Sequence, residues 1–101
     1  MALEKVAPPG AVGPGEMLEI RRDEQRVLLC HAPDGLFALD GSCPHAGAPL
    51  AQGALHGTTI VCPWHAWEFD CRTGAHDFNP RVCLRTYPVQ VRDDGIYVDC
   101  E

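Results

Sequence analysis

Two short motifs that pair a cysteine with a histidine constrain this chain more than any other feature of its sequence. They are Cys43-Pro44-His45 and Cys62-Pro63-Trp64-His65, and sixteen residues separate them. Each motif supplies one thiolate and one imidazole from a tight turn that contains proline. The glycines and prolines around both motifs argue against an ordinary mixture of core cysteines and solvent-exposed histidines. The motifs therefore predict two loops that enclose one metal centre from opposite sides.

The pairing of ligands within each motif favours one kind of metal centre. In a [2Fe-2S] cluster with mixed ligands, two cysteines hold one iron and two histidines hold the other. Two loops that each donate one cysteine and one histidine meet this requirement, with Cys43, His45, Cys62 and His65 as the ligands. A tetrahedral zinc site is the alternative, although zinc sites usually pair cysteine with cysteine and histidine with histidine. The absence of any metal is the second alternative.

Turn-forming residues recur at short intervals along the chain, which contains ten glycines and nine prolines. The segments between them are short and have β-branched, aromatic or alternating character, and none shows helical periodicity over three turns. Residues 26–31 and 36–39 predict one hairpin, and residues 89–92 and 96–98 predict another. The sequence therefore predicts an all-β sandwich or small barrel. The predicted strands are 3–7, 16–21, 26–32, 35–39, 58–62, 66–70, 84–91 and 95–99.

The segment 41–80 differs from the rest of the chain because it is rich in turn residues. It holds four of the five histidines and three of the six cysteines. We interpret it as an insertion between strands that carries the site on the β scaffold. The length of 101 residues fits one domain, 1–101, and leaves no room for a second.

The charge balance limits the partners that the chain can have. Eight lysines and arginines against fourteen aspartates and glutamates give a net charge of −6. Nucleic acids and anionic membranes reward positive charge, so we expect neither as a partner. An acidic surface suits a basic face on another protein, although net charge also serves solubility alone.

No targeting or membrane segment is apparent in the sequence. No apolar run approaches the ~20 residues that span a bilayer, and the N-terminal residues lack the pattern of a secretion signal. We therefore expect a cytoplasmic protein. In a reducing compartment, cysteines serve as metal ligands or buried thiols more often than they form disulfides.

The two motifs and their spacing resemble the pattern of Rieske proteins. The flanking sequences 43–50 and 62–70 agree with it, and so do Arg72-Thr73-Gly74 and the segment 84–89, as in small soluble Rieske ferredoxins. The resemblance covers about residues 3–99. It implies a Rieske fold of antiparallel sheets with a cluster-binding subdomain at about 41–80, and one [2Fe-2S] cluster per chain. It also implies that Asn79-Pro80 lies in a proline loop that covers the cluster.

Four positions separate this chain from the respiratory type of Rieske protein. The respiratory proteins carry an additional, disulfide-bonded cysteine in each loop, where this chain has Ala48 and Trp64. They also carry a serine and a tyrosine that hydrogen-bond cluster and ligand sulfur, where this chain has Trp67 and Phe69. Hydrogen bonds to sulfur stabilise the reduced cluster. We therefore expect a potential at the low end of the Rieske range of about −150 to +300 mV.

The resemblance implies a function in electron transfer. The expected protein is the ferredoxin component of an aromatic-ring-hydroxylating dioxygenase system, which passes one electron from an NAD(P)H-dependent reductase to a terminal oxygenase. It is expected to be a monomer that docks transiently through a face formed by His45 and His65. We do not expect an enzyme, because the chain is too short for the domain that carries an oxygen-activating iron with two histidines and one carboxylate.

Two other functions remain open on the sequence alone. One is the small subunit of an assimilatory nitrite reductase, in which a Rieske-like domain is a fixed part of a complex. The other is an interaction module that is stabilised by zinc.

The remaining cysteines and histidines lack the spacing of metal ligands. We expect Cys30, Cys71 and Cys83 to be buried or half-buried thiols and Cys100 to belong to the tail. We expect His56, which precedes Gly57, to lie in a surface turn. The other two histidines, for which the sequence suggests no role, are His31 and His76.

Overall fold

The computed structural model is built from ten short β-strands and one turn of 3₁₀ helix. It describes residues 3–22, 24–44, 47–64, 67–76, 79 and 81–100. No α-helix occurs in these ranges, and no helix among them is long and apolar enough to cross a membrane. The 3₁₀ turn is Leu50–Gln52, and the strands are β1 (Leu3–Ala7), β2 (Met17–Arg22), β3 (Gln25–Ala32), β4 (Gly35–Asp40), β5 (Ala54–His56), β6 (Thr59–Val61), β7 (Glu68–Asp70), β8 (Thr86–Tyr87), β9 (Val89–Arg92) and β10 (Gly95–Asp99).

The strands form three antiparallel sheets, which confirms the predicted all-β class. The first sheet has the order β1-β10-β9, the second β2-β3-β4-β8 and the third β5-β6-β7. Both predicted hairpins are present, with Ala32 paired to Gly35 and Arg92 paired to Gly95.

Strand β3 lies at the centre of the molecule and separates two hydrophobic cores. Its residues 27–30 are all fully buried, because successive side chains of a strand point to opposite faces of the sheet. Val27 and Leu29 pack with residues of β1 and β10, and this is the core between the first two sheets. Leu28 and Cys30 pack with residues of β6 and β7, and this is the core beneath the third sheet. The second sheet is therefore covered on both faces.

The predicted strand 84–91 is in fact two strands that belong to different sheets. β8 pairs with β4, whereas β9 pairs with β10. Pro88 lies between them. Because a proline has no N–H to donate to a β-ladder, the pairing of β8 with β4 ends before this residue. Its carbonyl accepts from the N–H of Asp99 at 3.1 Å, so the chain joins the first sheet directly after the proline.

The segment 41–80 contains more regular structure than its turn-rich sequence indicates. β5 pairs with β6 through a two-residue turn at Gly57 and Thr58, and β6 pairs with β7. β5 was not predicted, because its residues Ala54–His56 include no β-branched or aromatic strand former. Gly57 has φ +63°, a left-handed conformation that favours glycine in this turn.

Candidate metal centre

Both cysteine motifs lie in loops that the backbone closes in the same way. In loop 1, residues 43–48, the N–H of Cys43 donates to the carbonyl of Ala48 at 2.8 Å. In loop 2, residues 62–67, the N–H of Cys62 donates to the carbonyl of Trp67 at the same distance. Loop 2 connects β6 to β7, and loop 1 is flanked by a bridge between Ser42 and Pro49. The chain therefore presents its two motifs on two loops of equal length and equivalent closure.

The two loop cysteines meet in the protein interior. Cys43 is 1% exposed and Cys62 is 2% exposed, and both belong to the core beneath the third sheet. Burial raises the pKa of the Cys62 thiol above its usual value. The backbone amide of Trp64 opposes this shift, and a hydrogen bond with the Cys43 thiol adds to it. Cys43 and Cys62 are therefore buried in the same core and influence each other across the gap between the loops.

Two adjacent buried thiols that form no disulfide suit a metal centre. All six cysteines of the chain are free. Two thiolates side by side in the interior are stable only when a bound cation offsets their charge, since burial and mutual repulsion both disfavour the charged form. The donors in the described part of the site therefore fit one iron of a [2Fe-2S] cluster. The predicted ligands His45 and His65 lie outside the described residues.

Close packing holds loop 2 against the chain that follows loop 1. Gly53 ends the 3₁₀ turn after loop 1, and its N–H donates to the carbonyl of Leu50 at 3.0 Å. A Cβ atom at Gly53 would overlap the carbonyl oxygen of Val61 and press on the ring of Pro63. A residue without a side chain is therefore required where the two halves of the site meet.

An aromatic group supports loop 2 from the side of residues 76–79. The ring of His76 lies edge-on against Trp67 at 4.6 Å and against Phe69 at 5.3 Å between ring centroids. Its Nδ1 accepts a hydrogen bond from the N–H of Asn79 at 3.0 Å. Asn79 is thus held to His76 next to Trp67, while Pro80, the other residue of the predicted proline loop, lies outside the described residues. The spacing of His76 in the sequence gave no signal of this position.

Comparison with known proteins decides which family has this arrangement. The Rieske [2Fe-2S] domain model matches residues 3–88. The ferredoxin component of biphenyl 2,3-dioxygenase from Rhodococcus jostii RHA1 is 35% identical over 102 residues, which cover 100% of this chain and 95% of that protein. The chain belongs to the Rieske [2Fe-2S] family.

Solved structures agree with this assignment along the whole chain. The ferredoxin of carbazole 1,9a-dioxygenase from Nocardioides aromaticivorans IC177 has a TM-score of 0.89 and 30% identity, with 100% of both chains covered. A ferredoxin–oxygenase complex of carbazole 1,9a-dioxygenase contains a chain that matches with a TM-score of 0.88 and 28% identity, covering 98% of this chain and 94% of that one. The chain is thus a Rieske ferredoxin that binds a [2Fe-2S] cluster and transfers electrons, and it is not a catalytic subunit.

The positions that set the subtype of this Rieske ferredoxin are all described. Ala48 is fully buried and Trp64 is half exposed, and neither position offers a sulfur atom for a disulfide between the loops. Trp67 and Phe69 contribute rings without a hydroxyl, and both pack in or against the core beneath the third sheet. The side chains that donate hydroxyl hydrogen bonds to sulfur in the respiratory type are therefore replaced by rings that carry no hydroxyl.

The remaining cysteines of the Rieske ferredoxin differ in their environments. Cys30 and Cys71 are fully buried, as predicted, and they lie near each other in one core. Burial raises the pKa of Cys71 to about 11, with a further contribution from Asp70, and burial raises that of Cys30 even more. Cys83 is exposed, so the prediction of a buried or half-buried thiol was wrong there. It lies in the irregular stretch before β8, where no sheet covers it.

The histidines outside the two motifs have structural contacts. The Nδ1 atom of His31 lies 2.8 Å from the carbonyl oxygen of Val12, so this ring helps to anchor the loop before β2. His56 is exposed, as predicted, but it is the last residue of β5 and not part of the turn at Gly57 and Thr58.

Proposed function

We propose that this Rieske ferredoxin carries one electron at a time from an NAD(P)H-dependent reductase to a terminal ring-hydroxylating oxygenase. The burial of the Cys43 and Cys62 thiols in one core, on two equivalently closed loops, carries this proposal. Two relatives that are at least 30% identical and match over almost their whole length are ferredoxin components of biphenyl dioxygenases, which supports this place in the reaction sequence. The proposed ligands are Cys43, His45, Cys62 and His65.

Each part of the site has a distinct task in this function. The bound cluster accepts and releases a single electron. Cys43 and Cys62 anchor it from the interior, where Trp67 and Phe69 exclude water and leave the sulfur atoms without side-chain hydroxyl donors. Such an environment favours a low potential, which suits an electron that comes from NAD(P)H.

The two histidines are proposed to complete the site at the protein surface and to form the docking face. Two neutral imidazoles in place of two thiolates remove two negative charges from the cluster, so they raise its potential above that of a plant-type ferredoxin. We further propose a single domain over residues 1–101, a monomeric state and a cytoplasmic location.

The proposed role of His65 is tested by replacing it with cysteine. His65→Cys adds one thiolate, so we expect the variant to retain a cluster whose midpoint potential moves strongly in the negative direction. Redox titration of the purified variant measures this shift. His56→Cys makes the same change at the exposed end of β5, and we expect it to leave the potential unaltered. An unchanged potential in His65→Cys would exclude this histidine as a ligand.

The place of the chain between reductase and oxygenase is tested by reconstitution. A reductase and a terminal oxygenase from a biphenyl or carbazole dioxygenase system are combined with NADH and the aromatic substrate. We expect product formation to depend on the chain and to saturate as its concentration rises. Oxidation of NADH without product at every concentration would contradict the proposal.

The small subunit of an assimilatory nitrite reductase is the alternative function. A nitrite reductase small subunit from Mycobacterium tuberculosis matches with a TM-score of 0.83 and 24% identity, which shows a shared fold only. A fixed subunit is expected to purify in a stable complex, whereas a carrier is expected to dissociate freely from its partners. Gel filtration after expression in the native host separates the two.

A further inference from the structure

The segment that contains both cluster loops carries no charged side chain. Residues 41–67 include no aspartate, glutamate, lysine or arginine, although such residues make up 22% of the chain. At that frequency, about six would be expected in a stretch of this length. The net charge of −6 therefore arises entirely outside the cluster loops, the 3₁₀ turn and strands β5 and β6.

Two charged side chains at the margin of this segment, Arg26 and Asp70, are held in pairs. Nη1 of Arg26 approaches the carbonyl oxygen of Gly47 in loop 1 at 3.5 Å, but its Nε is paired with Glu19 at 3.2 Å. Beyond loop 2, the carboxylate of Asp70 accepts two hydrogen bonds from the guanidinium of Arg72, at 3.1 and 3.0 Å. Pairing of opposite charges reduces the electrostatic field that a partner protein meets as it approaches the loops.

Trp64 is the main apolar side chain exposed on the cluster loops. It is 50% exposed, and only one other large hydrophobic side chain in the described part of the chain, Val91, is classed as exposed. Pro44, Gly47 and Pro63 are also exposed around it, so the surface of both loops is uncharged. Tryptophan is the residue type that most often contributes the largest share of binding energy at protein interfaces.

Backbone contacts hold the loop that presents Trp64. The N–H of Cys62 donates to the carbonyl of Trp67 at 2.8 Å, which closes loop 2 around Trp64. Gly53 allows the chain after loop 1 to approach Pro63, the residue before Trp64. A side chain presented from a loop held in this way loses less conformational entropy on binding than one on an open segment, which favours its use as an anchor.

We propose that this ferredoxin docks on its terminal oxygenase by burying Trp64 in an uncharged, apolar depression beside the electron-accepting centre, and that charge contributes little to the contact. The inference rests on the proposed function and deepens it. A matching chain occurs in a complex of ferredoxin and oxygenase, which supports the oxygenase as the occupant. Two six-residue loops offer too little area for a stable dimer, but they fit the small interfaces of transient redox encounters.

Stopped-flow measurement of the rate at which the reduced chain transfers its electron to an oxygenase tests the inference. The chain is reduced and mixed with the oxidised oxygenase components of biphenyl, naphthalene and carbazole dioxygenases, and the fastest acceptor is used throughout. For Trp64→Ala we expect an apparent Kd at least about tenfold higher, with the limiting rate constant at saturation unaltered. Trp64→Phe is expected to restore most of the affinity. Val91→Ala removes the other exposed hydrophobic side chain and is expected to have no effect.

Salt dependence separates apolar docking from charge steering. We expect the second-order rate constant of the wild type to change less than about threefold between 50 and 500 mM salt, whereas steered association changes far more. A steep salt dependence, or an unchanged Kd in Trp64→Ala, would overturn the inference and leave the proposed function intact. A loss of affinity for the reductase alone, or a dimer that Trp64→Ala dissolves, would also overturn it.

Failure of the proposed function has a different signature. If the reduced wild-type chain transfers no electron to any of the three oxygenases, the role as their carrier is contradicted whatever the variants do. The EPR spectrum and the midpoint potential of Trp64→Ala are recorded in parallel. Both are expected to match the wild type, which shows that the variant alters docking and not the cluster.

Discussion

At the residue scale, the chemistry of each cysteine follows from its surroundings. Cys43 and Cys62 are buried side by side between the loops, Cys30 and Cys71 are buried deeper in the same core, and Cys83 is exposed. Only thiolates react readily with alkylating agents, and burial disfavours the thiolate. These five cysteines therefore fall into three groups that a chemical label can distinguish.

We predict that iodoacetamide at pH 8 labels Cys83 rapidly in the intact protein and leaves Cys30 and Cys71 unlabelled. A thiol with a pKa of about 11, as in Cys71, is ionised at that pH in only about one molecule in a thousand, and the fraction rises with pH. Cys43 and Cys62 are expected to become reactive only after acid removes the iron. Mass spectrometry of peptides locates each label. Rapid labelling of Cys62 in the iron-loaded protein would contradict its role as a ligand.

The sequence selects candidate ligands for the site but does not predict the side chains that surround them. Spacing within the motifs is sufficient to select Cys43 and Cys62 as candidates, because chelation of one centre needs ligands on short, tight turns. The contact of His76 with Trp67 and Phe69 depends on the path of residues 70–76, which no local pattern records. The exposure of Cys83 likewise depends on which sheet edges are covered.

At the element scale, the two loops are fixed by the strands that hold them and by one glycine between them. Both hairpins outside the site were predictable, because a turn such as Asp93-Asp94-Gly95 between alternating segments is a strong local signal. β5 was not predictable, because Ala54–His56 forms a strand only through its pairing with β6. The division of 84–91 depends on tertiary context, since Pro88 marks an interruption but not a change of sheet.

We predict that Gly53→Ala destabilises the iron-loaded protein by about 2 kcal/mol or more and lowers its iron content, because the new Cβ atom would displace the Val61 carbonyl and loop 2. Gly57→Ala is the matched control. It places alanine in a left-handed turn with open space around it, at a cost of about 1 kcal/mol, and it leaves the loops in place. Thermal loss of cluster absorbance, with iron analysis, measures both. Equal effects of the two substitutions would disprove the importance of this close approach.

At the scale of the whole molecule, the fold separates the site from the charged surface. The central sheet supports the scaffold core on one face and the core of the cluster loops on the other. Arg72 follows β7 and is hydrogen-bonded to Asp70, the last residue of that strand. Its Nη1 atom also lies 3.6 Å from Oδ2 of Asp34 in the turn between β3 and β4. The third sheet is thus connected to the second at the surface as well as through the core. This arrangement presents uncharged loops on an acidic scaffold.

The chain is proposed to hold a low-potential [2Fe-2S] cluster with mixed cysteine and histidine ligands. Redox titration followed by EPR of the reduced protein tests this most directly. We predict a rhombic signal with a midpoint well below zero, near the lower limit of about −150 mV for Rieske centres. A midpoint far above zero would contradict the argument from Trp67 and Phe69. A colourless protein with bound zinc and no EPR signal would contradict the assignment of the cluster itself.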